Sequence, residues 1–402
     1  MPKRIAVGFV VPTVHRMLAL TSCWALLFVL AFVVLFIGWP IAAAAQQVDL
    51  IFANTVLEKD RYCTNDGAGS FTCADLSSDT GYSSDVAVGD LNGDNRPDVV
   101  VVKNRTSNSN QLCLNDGNWS FVCASVDLMQ YNTTGVALGD LDDDDDLDIV
   151  FANVNAENRM CLNDGAGIFS CSDVSSDTNS TYGVAVGDLY GANGTDLVFA
   201  NYGQPNRVCL NDGSGAFSCT DVSTDEWESY GTAIGDLDGA NGLDLVFADK
   251  AHGAMTCLND GTGSFACSYL NTYCTPLGAA LADLDGTNGL DIVFANGGAC
   301  TTNEVCFNDG SASFACAFVS ADNNSSNDVA LADIDGDGNI DALFANGNGP
   351  NRSCLNDGTG SFTCGDISAD ANRSKGLATI PPWNFSDGFE SGDTSAWSDT
   401  VP

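Results

Sequence analysis

The chain has 402 residues, with 53 Asp and Glu against 14 Lys and Arg, a formal net charge of −39, and 17 cysteines. So acidic a field excludes nucleic acid and anionic membrane surfaces as partners, because both would be repelled. The cysteine usage belongs in an oxidising compartment.

Only six of the acids are Glu. Asp, with the shorter side chain, suits tight turns and cation-binding loops, where a carboxylate must reach back to the local backbone or a metal. At the N-terminus, Lys3, Arg4 and Arg16 precede an apolar run from Met17 to Trp39, and the small residues Ala42–Ala45 follow it. Residues 1–45 read as a secretory signal cleaved after Ala45, or as an uncleaved N-terminal membrane anchor, since the run is long enough to span a bilayer. Cys23 lies in this segment and has no part in the mature fold. Cleavage would remove three basic residues, leaving 11 of the 14 against all 53 acids.

From residue 48 to about 380 the chain repeats itself. A Cys-x9-Cys pair brackets an Asn-Asp-Gly turn seven times, beginning at Cys63, Cys113, Cys161, Cys209, Cys257, Cys306 and Cys354, in steps of 48 to 50 residues. A second segment lies between neighbouring pairs, GVALGDLDDDDDLDIVFAN at 135–153 being one copy. Short apolar runs and Gly/Asn/Asp turns at this period indicate a β-propeller or a β-solenoid.

Each unit divides into four strands, A to D. Gly135–Gly139 is short and rich in small residues, as the crowded axis of a blade requires. Leu147–Ala152 is almost continuously apolar, as a strand buried between neighbouring blades would be. A third strand leads into Cys161, and the turn after it reverses into a fourth bearing Phe169 and Cys171. The first unit starts directly at the equivalent of strand B (Val48–Asn54) and lacks strand A. Gly376–Ile380, after the last cysteine pair, fills that slot. This complementary cut favours an all-β, seven-bladed β-propeller of four-stranded antiparallel blades over residues 46–383, its first blade closed by the C-terminal strand.

The cysteines of each pair oppose one another across a hairpin, within disulfide reach. Cys274 and Cys300 stand outside the pattern but fall at adjacent strand ends, which implies an eighth bond. The loop between strands A and B carries acids at positions 1, 3, 5 and 9. Full sets occur at Asp90, Asn92, Asp94 and Asp98; at Asp140, Asp142, Asp144 and Asp148; and at Asp333, Asp335, Asp337 and Asp341. Oxygen ligands on alternate residues of a Gly-assisted turn, closed by a later carboxylate, suit a hard cation such as Ca2+. Asp236, Asp238 and Asp244, and Asp283, Asp285 and Asp291, lack the position-5 acid and are expected to bind more weakly. The loop from Asp188 to Asp196 has Tyr190 and Ala192 in place of the middle ligands and reads as a structural turn held by Asn193. Blade 1 keeps only Asp49.

These units resemble the FG-GAP/VCBS-type repeats of the integrin α-subunit propeller and of many exported bacterial proteins. The resemblance rests on D-x-D/N-x-D-G-x-x-D followed by an apolar strand and an L-N-D-G-x-G-x-F hairpin, and covers about 48–380. It implies calcium in the A–B loops and a role in adhesion or ligand binding on a secreted, cell-surface or periplasmic protein. The paired cysteines depart from the plain family pattern.

Strand direction places the near-identical A–B and C–D loops on one face and the divergent B–C and D–A loops on the other. Divergent loops carry recognition, so a protein or glycan ligand is expected there. Tyr82, Tyr131, Tyr182, Trp227, Tyr230 and Tyr273 all read as D–A loop residues, either platforms for a ligand or packing between blades. His252, the one histidine beyond residue 45, gives a catalytic triad or His-ligated metal little to build on. A lectin and a polysaccharide-cleaving propeller enzyme are the alternative functions. The acidic tail, 384–402, breaks the repeat and reads as a disordered end or a short surface signal.

Overall fold

The computed structural model describes residues 48–381, apart from 106–108, 128–129, 192–193, 299 and 371–372. The signal or anchor segment, Cys23, Ala192, Asn193 and the tail lie outside the described residues. Among those described, no helix is long and apolar enough to cross a membrane.

Twenty-eight strands form seven four-stranded antiparallel sheets. In blade 3, strands A to D are Thr133–Gly139, Asp148–Asn153, Arg159–Asn163 and Phe169–Asp173. Strand B therefore starts one residue later than its hydropathy suggests, because Leu147 belongs to the loop. Strand A starts two residues earlier than its small-residue run, and its ladder skips the second residue. The same skip occurs at Ser84, Thr134, Tyr182, Tyr230, Leu277, Asn327 and Lys375, so every inner strand carries a bulge at one level.

The axis explains the small residues. A Cβ on Gly183 would stand 2.6 Å from Tyr230 O, and one on Gly231 would stand 2.7 Å from Leu277 O. Where blades 4, 5 and 6 meet, neighbouring inner strands thus approach so closely at this level that a methyl group is excluded, whereas blades 2 and 7 place Asp85 and Asp328 at the equivalent position. Strand B is buried along its whole length in every blade. Its central aromatics Phe52, Phe151, Phe199, Phe247, Phe294 and Phe344 are no more than 2% exposed, and a valine, Val101, stands there in blade 2. The core clusters join adjacent blades: Leu141 and Val150 of one pack with Leu197 and Phe199 of the next.

Ring closure takes the form the chain's ends imply. Ser374–Ile380 pairs antiparallel with Asp49–Asn54 from Asp49↔Ile380 to Asn54↔Ser374, completing blade 1. In each hairpin the two cysteines are direct cross-strand partners with Cα atoms 3.9–4.0 Å apart, and the eighth bond joins Cys274 to Cys300. All eight lie within single blades, so they stiffen hairpins and rims while blade-to-blade cohesion rests on packing and hydrogen bonds.

Candidate functional site

The A–B loops fold around their first aspartate. Asp140 accepts N–H bonds from Asp143, Asp144 and Asp145 at 2.8–3.2 Å. Asp333 does the same for Gly336 and Gly338. The turn places positions 1, 3 and 9 together. One carboxylate oxygen from each of Asp140, Asp142 and Asp148 lies within 4.8 Å of the others, and so do those of Asp236, Asp238 and Asp244, of Asp283, Asp285 and Asp291, and of Asp333, Asp335 and Asp341. Ligands on opposite sides of a Ca2+ ion at about 2.4 Å are at most about 4.8 Å apart, so this spacing and all-oxygen chemistry fit a hard cation. In blade 3, Asp142 Oδ1 is buried and has no hydrogen-bond partner.

In blades 3 and 7 the position-5 carboxylate stands outside the converged triplet. The two loops without a position-5 acid assemble the same triplet as those of blades 3 and 7. Asp144 and Asp337 instead accept backbone N–H groups of their own turns, from Asp146 and Asn339. Burial first, and then the like charges of the neighbouring aspartates, push the Asp142 and Asp335 carboxyls up. In blade 2 the middle place belongs to Asn92, which accepts from Asp94 N, while the Asp94 carboxylate lies 3.5 Å from Arg96. In blade 4 the Tyr190 hydroxyl donates to Asn211 O at 2.7 Å, which holds that turn.

Position 9 has a role of its own that the motif conceals. In blades 2 to 7 its Oδ1 accepts the backbone N–H of the Asn-Asp-Gly asparagine and its Oδ2 that of the second loop residue, at 2.7–3.2 Å. Asp49, in the blade without such a loop, keeps the first of these bonds, to Asn65 N at 2.7 Å. Desolvation, partly offset by those backbone donors, raises Asp98, Asp196 and Asp291 to about 6 and Asp148 and Asp341 to about 7. The asparagine then reaches across the seam. Asn163 Nδ2 donates to Leu91 O of the preceding blade at 3.0 Å, Asn211 to Leu141 O and Asn308 to Leu237 O, both at 2.8 Å. Asn115 is the exception: the blade before it has its A–B connection cut by the chain ends, and Asn115 turns to Pro97 O of its own blade.

At the other rim the bulged residues of the inner strands line the mouth of a central cavity of about 390 Å3. Tyr182 and Tyr230 are thus strand residues rather than loop residues, and they cluster with Tyr202 at centroid separations of 4.7–5.8 Å. Tyr182 and Tyr230 thereby join neighbouring blades 4 and 5, as the packing alternative expects, whereas the other aromatics of this face make their contacts within single blades. Trp227 stacks between His252 and Tyr269 at 4.1 and 4.2 Å, Tyr82 lies 3.5 Å below the Arg105 guanidinium, and Tyr273 packs on Phe318.

All seven blades share one order of strands and the A–B rim one repeated loop chemistry, and residues 46–101 and 90–151, which hold the loops at Asp90 and Asp140, match the FG-GAP-like repeat family. The chain is a β-propeller that carries FG-GAP-like repeats. No curated protein sequence matches it. Among solved structures it is similar to the periplasmic gluconolactonase of Pseudomonas aeruginosa, with TM-score 0.59 and 13% identity over 84% of this chain and 99% of that one. A Bacteroides fragilis protein assigned as a 6-phosphogluconolactonase gives TM-score 0.58 and 11% identity over 85% and 100%. An ancestral GH74 enzyme gives 0.54 and 12% over 84% of this chain and 50% of its own. At these identities the likeness concerns the fold.

In this propeller, sequence reasoning found the acidic loops but missed two features. The seam-crossing asparagine reads as an ordinary turn residue, although its recurrence in every unit was available as a signal. The bulge ring has no local signature, because nothing in Ser-Ser, Thr-Tyr or Ser-Lys marks the second residue as leaving the ladder.

Proposed function

We propose that the protein is an exported, calcium-loaded β-propeller that binds an extracellular protein or glycan on the face of its B–C and D–A loops. The observation that carries this reading is the contrast between the rims. One repeats the same carboxylate triplet and asparagine lock, as a scaffold does. The other presents a different side chain from nearly every blade around a cavity, with an aromatic cluster beside it. Eight disulfides support an extracellular or periplasmic site of action. Calcium in the triplets would rigidify the scaffold rim, and its chemistry there is charge neutralisation among crowded carboxylates. Calorimetric calcium titration, followed by glycan-array and pull-down screens of the loaded protein, tests the reading. Absence of calcium uptake would remove its first half, and a screen without any ligand its second.

A carbohydrate-cleaving enzyme is the second reading, favoured by the gluconolactonase and GH74 enzyme among proteins of similar fold. Within the cavity the acids available are Asp85 and Asp328, whose carboxylates accept N–H bonds from Val136 and Leu377 at 3.0 and 2.9 Å. Product release from lactones or polysaccharides, lost in a double Asp85→Asn, Asp328→Asn variant that still melts like the parent, would establish it.

A further inference from the structure

The positive charge of this acidic protein is unevenly spent. Among the described residues, Lys59, Arg61, Arg96, Lys103, Arg159, Arg207 and Arg352 each hold a carboxylate within 4.0 Å. The remaining described cations are Arg105, Lys250, Arg373 and Lys375, and all belong to the B–C and D–A rim or the bulge ring beneath it. In a chain with 53 acids, the cations that hold no carboxylate among the described residues gather on one rim, which also carries Glu228, the acceptor of the Tyr202 hydroxyl at 3.0 Å.

One of them, Lys375, lines the cavity mouth, and a second, Lys250, stands beside Tyr230, which also lines it. Lys375 is the bulged residue of the blade-1 inner strand, and its Nζ donates to Asn327 Oδ1 at 3.0 Å. It is solvent-reached, yet the surrounding strands strip water from its ammonium group. That desolvation first, and the like charge of Lys250 second, hold its pKa below the ordinary lysine value. Lys250 enters from the B–C loop of blade 5, its Nζ 5.2 Å from the Tyr230 ring centroid and 3.5 Å from the Tyr230 hydroxyl. A partly desolvated ammonium group with a second positive charge nearby gains from an anion placed against it.

The rest of the mouth fits a sugar. Blade 1 lies across the seven-fold ring from blades 4 and 5, so Lys375 faces Tyr182 and Tyr230 over the axis, and these rings offer apolar faces to sugar C–H groups. Ser84, Thr134 and Asn327 donate to backbone carbonyls of the neighbouring blades, which fixes them as hydroxyl-binding groups at the rim. The acids deeper in the channel, Asp85 and Asp328, are tied to strand N–H groups. A cavity of about 390 Å3 falls in the range of small-ligand sites, about 300–1,000 Å3.

We propose that the channel mouth binds a carboxylated sugar, with Lys375 and Lys250 holding the carboxylate and Tyr182 and Tyr230 packing on the pyranose ring. The proposal rests on the reading of this rim as the ligand face and names the ligand class for it. The test is calorimetry on the calcium-loaded full chain with short oligomers of glucuronate, galacturonate and mannuronate, each beside its neutral hexose counterpart. At least one uronate should bind, at least tenfold more tightly than its neutral partner, and binding should weaken as salt rises. Lys375→Gln and Lys250→Gln should each weaken it about tenfold or more, with melting temperature and calcium uptake unchanged to show an intact fold. No uronate binding, equal binding of the neutral sugar, or full binding by the Lys250→Gln, Lys375→Gln double variant would overturn the proposal. Capture of a protein partner or neutral glycan by the same rim, with no uronate binding, would sink this inference while leaving the broader reading in place.

Discussion

Replacing Asn211 with alanine tests whether the asparagine lock holds blade to blade. Asn211 is 1% exposed. Its Nδ2 donates to Leu141 O of the preceding blade at 2.8 Å and to Thr195 O at 2.9 Å, and its Oδ1 accepts from Gly213 N at 3.0 Å. Truncation removes three bonds and leaves buried carbonyls that no solvent can reach, at about 1 kcal/mol per bond, so a loss of about 3 kcal/mol is expected. Asn115 supplies an internal control. Its Nδ2 donates within the blade to Pro97 O at 3.2 Å and its Oδ1 accepts from Gly117 N at 2.9 Å, with no bond across the seam. Asn115→Ala should therefore cost about 1 kcal/mol less than Asn211→Ala. Urea unfolding followed by tryptophan fluorescence measures both, from the midpoint at constant slope. Equal losses in the two variants would show that the seam-crossing bond adds nothing to cohesion, and the account of the ring's locks would be wrong.

Calorimetry should find calcium sites in blades 3, 5, 6 and 7, since positions 1, 3 and 9 converge in all four; uptake confined to loops with a position-5 acid would refute the triplet as the binding unit. Asp335→Asn should weaken calcium binding while leaving the chelated protein's stability nearly unchanged. Asp341→Ala should lower that stability by about 2–3 kcal/mol even in chelator, because Asn356 N and Ile334 N lose their acceptor; equal melting of the two variants in chelator would contradict this. Burial raises Asp148 and Asp341 to about 7 in the folded state, above the ordinary carboxyl value, so between about pH 4 and pH 7 the folded chain binds more protons than the unfolded one. Stability of the chelated protein should fall as pH rises through that window, and calcium should suppress the fall; melting curves in chelator that climb over this range would reverse the argument. Ending the chain after Asp370 removes the strand that pairs with Asp49–Asn54. Such a protein should aggregate and melt well below one ended after Pro381, whereas equal behaviour would mean the ring does not close through blade 1.

The repeat made the architecture readable because it is a statement about period and pattern. Seven cysteine pairs, a buried B strand after each acidic loop and a missing first strand A restored at residue 376 are all visible along the chain, and their physical causes are local: turn chemistry, alternation and the need to pair strand edges. The acidic loops were legible for the same reason, as ligands spaced along one turn. Three-dimensional placement decided what local pattern leaves open. Position 5 falls outside the triplet because the turn closes around position 1, and Asp98, Asp148 and their equivalents are anchored by N–H groups from two separate segments before any cation is considered. Asn163 and Asn211 become locks only once a neighbouring blade brings a loop carbonyl within reach, about 70 residues away in sequence. Lys375, Tyr182 and Tyr230 belong to different repeats and have no sequence relation to one another. They meet at one mouth because all the inner strands bulge at the same level, and the closure of the ring turns that shared irregularity into a common wall.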